Sequence, residues 1–177
     1  MNSVTDAILR HLKPLIGLQL SIARRAATMR IFHFGRVGPV ERGTAGKYAM
    51  HIQCAWRLDG PEGILTGSED LYQPAETSGE IDWERWNYET GNLQDQRLGE
   101  WLGGYDPQTR SHIYTGEHIR VEMVEADDFG GAILHLSGGF RLVLFPAGSK
   151  KENWRLFRPQ HRQAHFVISG GGVEDTE

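Results

Sequence analysis

The sequence predicts an α+β domain in which one N-terminal helix packs on a mostly antiparallel sheet bent into a sandwich or half-barrel. Three observations carry this. Apolar residues have helical spacing at the start, and the period changes to 2 after Gly17. Residues 119–124, 132–136 and 140–145 then read as successive strands joined by short Gly turns, an antiparallel meander. No strand–helix–strand rhythm accompanies them, which disfavours a parallel sheet.

Ser3 and Asp6 form a capping pattern ahead of Ile8, Leu9 and Leu12, which share one helical face. Pro14 and Gly17 end that helix, and a segment so short needs a sheet to lie on. Leu18, Leu20 and Ile22 alternate with polar or small residues, as do Ile31 and His33 with Phe32 and Phe34. Between 47 and 58 the pattern is clearer: Met50, Ile52, Cys54, Trp56 and Leu58 share one face, and His51, Gln53 and Arg57 the other. This predicts one half-buried strand ended by the turn Asp59-Gly60-Pro61. A short strand at 64–65 or around 70–72 follows, and 154–157 and 164–168 add two more, for about seven or eight in all.

Residues 76–105 differ from the rest. Seven acids face two bases there, a net of −5, and three of the five tryptophans, Trp83, Trp86 and Trp101, lie in it. It reads as a long connection with a short helix near 92–102, where Leu93, Leu98, Trp101 and Leu102 make a stripe. The Arg24, Arg25, Arg30 and Arg36 set and the stretch 141–162 are basic in compensation. Either the two regions neutralise each other across the fold, or the acidic, aromatic one meets a basic partner.

The 177 residues fit one domain over 1–177, with that connection as a variable insert. A net charge of −4 makes nucleic acid an unlikely partner. No apolar run reaches about 18 residues, so no helical membrane span is expected, and charged residues interrupt the only apolar N-terminal stretch. One cysteine, Cys54, excludes a disulfide framework, so the expected setting is cytoplasmic.

Chemical motifs are sparse. His51-x-x-Cys54 has ligand-like spacing, but on a strand those positions face apart, so no metal is expected. Cys54 shares the apolar face and reads as a core residue rather than a nucleophile. Gly170-Gly171-Gly172 is followed by only five residues, too few for a phosphate-cradling helix, and no cofactor is expected.

The strings Ala55-Trp56-Arg57-Leu58-x-Gly60-Pro61-x-Gly63-Ile64-Leu65-x-Gly67-Ser68-x-Asp70-Leu71-Tyr72 and Trp154-Arg155-Leu156-Phe157-Arg158-Pro159, with His165-Phe166-Val167, resemble a family of small uncharacterised bacterial proteins. The resemblance covers the strand-rich parts and skips the acidic segment. It implies a bacterial cytosolic domain and carries no catalytic residue.

Two functions are therefore expected. The first is a non-enzymatic protein-binding domain, for instance an immunity or antitoxin protein neutralising a basic toxin. Its contacts would be Asp82, Trp83, Glu84, Trp86, Glu89 and Trp101. The alternative is a small-ligand binder or enzyme whose polar pocket is lined by His51, Gln53, His135 and Arg141.

Overall fold

The computed structural model describes residues 3–77, 79–106, 108, 111–114, 119–162, 164–170 and 172–176. Helix α1 (Val4–Leu12) begins with the expected capping box. The Asp6 N–H donates to the Ser3 hydroxyl, and the Ser3 N–H donates to the Asp6 carboxylate. A single 3-10 turn over Lys13–Leu15 follows, and Gly17, at φ +84°, turns the chain away.

Next come β1 (Leu20–Ala26), β2 (Met29–Phe34), β3 (Gly38–Val40), β4 (Gly43–Ala45), β5 (Tyr48–Ile52), β6 (Ala55–Gly60) and β7 (Gly63–Gly67). Helix α2 (Leu93–Leu102) lies beyond the acidic connection. It precedes β8 (Tyr105–Asp106), β9 (Ser111–Ile113), β10 (Val121–Ala126), β11 (Ala132–Leu136), β12 (Phe140–Phe145), β13 (Glu152–Phe157), β14 (His165–Ser169) and β15 (Gly172–Thr176).

All strand pairs are antiparallel. One sheet runs β15-β14-β13-β5-β2-β1-β9-β8, the other β10-β11-β12-β6-β7, and β3-β4 is a separate hairpin. The two sheets stay open and share one core, which is the sandwich form of the expected α+β fold. Phe32, Met50, Ile52, Trp154 and Leu156 come from the first sheet; Trp56, Leu58, Leu134, Leu142 and Leu144 from the second; Ile8 and Leu12 from α1. Phe32 of β2 meets Trp56 of β6 edge-on, with centroids 5.5 Å apart. The Trp154 indole N–H reaches Gly130 O at 2.8 Å, so a fully buried polar group is satisfied.

The expected single strand over 47–58 is instead two strands in different sheets. The chain turns a corner at Gln53–Cys54, where both backbone N–H groups donate to Asn153 O, at 2.8 and 2.9 Å. Parity survives the corner: Met50 and Ile52 point into the core from one sheet, Trp56 and Leu58 from the other. Residues 68–72 form a 3-10 turn rather than a strand. The meander, by contrast, is β10-β11-β12, turned by Gly138 and Gly139 at φ +78° and +80°.

Candidate functional site: the acidic aromatic turn and its anchor

The connection between β7 and α2 is fixed from behind by buried charge. Arg25 and Arg30 pair across the β1–β2 hairpin, and their side chains are 2% and 0% exposed. Two such cations side by side require an anion. Asp95, on the first turn of α2, supplies it: Oδ1 accepts from Arg30 Nη2 at 2.7 Å, and Oδ2 from Arg25 Nη2 at 3.1 Å. Burial opposes charge on Asp95, but the two guanidiniums and the Asn92 amide outweigh it and hold the carboxyl below its usual range. Arg30 Nε also donates to Gln94 Oε1 at 2.9 Å, while the Gln94 amide donates to Gly67 O of β7.

Asn92 caps α2, accepting from the Asp95 N–H at 2.8 Å, and its amide ties back to Tyr88 O. Helix α2 approaches β9 so closely at Gly99 that a Cβ there would lie 3.0 Å from the His112 ring. Sequence reasoning missed this clamp, although it counted the arginines. What links them to Asp95 is a contact across some 65–70 residues, which no local pattern carries.

In front of the clamp, residues 82–86 fold into a tight turn. Trp86 N–H donates to Asp82 O at 2.9 Å, and Glu84 N–H to the Asp82 carboxylate at 3.2 Å. Trp83 is 65% exposed, with its ring 6.2 Å from that of Trp86. Trp86 is half-buried, and its indole N–H is held by Gly91 O at 2.7 Å. Trp86, but not Trp83, lines a cavity of about 340 Å³ together with Glu80, Asp82 and Arg85. Asp82, Glu84 and Glu80 face solvent; Arg85 pairs loosely with Asp82 at 3.6 Å, and its side chain is 90% exposed.

Of the six expected contact residues, four therefore gather on one turn: Asp82, Trp83, Glu84 and Trp86. Glu89 turns back to Arg25 at 3.3 Å and belongs to the anchor. Trp101 lies on α2 against Phe140, with centroids 5.1 Å apart, and packs on the core.

The four expected pocket residues do not share a pocket. His51 lies on the outer face of the eight-stranded sheet, with Gln53 at its corner. His135 and Arg141 are cross-strand neighbours on the outer face of the other sheet, so the core separates the two pairs. The reason is the corner after Ile52, invisible to a period-2 reading. His51 sits beside Arg155 and Glu152. Burial first, then the Arg155 charge, pulls the imidazole down to about 4. His135 is hydrogen-bonded to Glu125, and Arg141 pairs at 2.9 Å with Asp59, which is nearly buried.

Among the described residues, no three His, Cys, Asp or Glu side chains gather as a metal-holding group. Among the same residues, no helix is long and apolar enough to cross a membrane. Comparison with protein-family models, curated proteins and solved structures finds no match to this chain, so function must be read from its own residues.

Proposed function

We propose that this chain is a non-enzymatic protein-binding domain of a bacterial cytoplasm, which docks a basic partner on the 82–86 turn as an immunity or antitoxin protein would. The observation that carries the reading is Trp83: a large indole 65% exposed, beside Trp86 and flanked in the chain by the exposed Asp82 and Glu84. Exposed aromatics anchor interfaces, and surrounding acids steer a cationic surface into place. The Arg25–Asp95–Arg30 clamp holds the turn before any partner arrives, which lowers the entropy lost on binding.

The test is co-expression with the toxic product of a neighbouring gene. Wild-type protein should restore growth and form a complex whose association slows with salt, because the acids act over a Debye length of about 8 Å. Trp83→Ala should weaken the complex by about tenfold or more with an unchanged melting temperature, since an exposed ring contributes little to the core. Full-strength binding by Trp83→Ala, or association indifferent to salt, would sink the proposal.

A further inference from the structure

The eight-stranded sheet has a second end. On β2, Arg30 meets α2, whereas Phe34, four residues along, pairs with Tyr48 near the ends of β13 and β14. There the strand ends and the last turn of α1 enclose a cavity of about 540 Å³. That volume lies within the range of small-molecule sites, about 300–1,000 Å³.

Its floor is apolar and its rim is basic. Leu156 and Phe166 are nearly buried at the bottom. The His11 ring lies flat on Phe166, with centroids 3.9 Å apart and planes at 9°, and Phe157 stacks on His165 at 4.2 Å. The cavity is therefore walled by rings that already stack in pairs. Arg158 leans over Tyr48, 5.9 Å from its centroid, and its Nε is buried without a hydrogen-bond partner. Arg10 stands exposed across the opening, in the last turn of α1. None of the lining residues carries a carboxylate. Several arginines elsewhere pair with acids: Arg25 and Arg30 with Asp95, Arg141 and Arg57 with Asp59, Arg155 with Glu152. Among the described residues Arg158 instead pairs with no acid and leans on an aromatic ring, which leaves its guanidinium to a planar anion.

We propose that this cavity binds an organic anion with a flat ring body. The charged group is held between Arg10 and Arg158, and the ring is laid against Tyr48 and Phe157. Aromatic carboxylates and nucleoside monophosphates share this chemistry. The site is independent of the 82–86 turn, at the other end of the sheet.

Calorimetric titration of the full chain with 2-naphthoate and, separately, with adenosine monophosphate tests it. Binding of either supports the site and assigns its source: an aromatic acid, a nucleotide, or both. Arg158→Gln and Arg10→Gln should each weaken that binding about tenfold or more, while Trp83→Ala leaves it unchanged. Arg10 is exposed, so its variant keeps the fold, which a thermal melt confirms. For wild-type protein, 2-naphthamide, the same shape without the charge, should bind about tenfold or more weakly than 2-naphthoate where the acid binds. Binding of neither probe, equal binding of the amide, or full affinity in both arginine variants would overturn the proposal.

Discussion

Cys54 shows how a single side chain reports on its surroundings. It sits at the corner between β5 and β6, packed against the core, with its own N–H tied to Asn153 O. Burial pushes the thiol up to about 11, since an apolar setting penalises the thiolate more than nearby backbone donors assist it. At pH 8 roughly one molecule in a thousand then carries the thiolate, and a disulfide reagent should label native protein about a hundredfold slower than denatured protein. Rapid labelling of the native state would mean that the corner opens. The sequence placed Cys54 on the apolar face by parity alone. That placement survives because the corner carries the chain from one inner face to the other without changing which numbers point inward. The partners of His51 and Gln53 did not survive it, because outer faces diverge where inner faces converge. Trp86 and Trp83 were indistinguishable by spacing; only the Gly91 carbonyl, which holds one indole and not the other, separates them.

At the scale of elements, α2 and the β1–β2 hairpin hold each other through Asp95. Asp95→Ala would leave Arg25 and Arg30 buried beside each other without the carboxylate that bridges them. Removing one partner of a buried ion pair costs roughly 3–5 kcal/mol, and denaturant unfolding should show a loss of that order. A loss below about 1 kcal/mol would mean that water reaches the pair and screens it. The helix itself was legible, because Leu98 and Leu102 repeat at helical spacing and both are buried. The clamp was not, because charge carries no period. The short strands β3, β4, β8 and β9 escaped for another reason: three residues or fewer cannot display an alternation. Those four, the division of 47–58 into β5 and β6, and β15 at the C-terminal end account for most of the difference between the fifteen strands among the described residues and the seven or eight expected.

At the scale of the whole molecule, acid should unfold the protein earlier than its exposed charges alone would, and the responsible groups can be named. His33 lies on the outer face of β2, 5% exposed, and its Nδ1 accepts from the Gly46 N–H at 3.0 Å. Gly46 comes so close that a Cβ there would stand 2.8 Å from Phe34 O. Burial, then the nearby Arg24 and His51, pulls the His33 imidazole down to about 3 from its ordinary 6.5. Unfolding releases that constraint, so between about pH 6.5 and 3 the unfolded chain binds a proton that the folded one refuses. The stabilisation is complete above pH 6.5 and falls with acidification by up to about 1.4 kcal/mol per pH unit for each such histidine. His51, depressed to about 4, adds to the same window. Asp95 and Glu152, both held below their usual range, act only lower, as their carboxylates protonate and release their arginines. Thermal melts should therefore be flat from pH 8 to 7 and fall progressively below 6.5. His33→Asn keeps an acceptor near the position of Nδ1 but cannot titrate, so its melting temperature should fall less steeply between pH 6.5 and 4.5 than that of the wild type. Parallel curves for the two proteins would show that His33 does not remain neutral in the fold and would leave the acid response to the carboxylates.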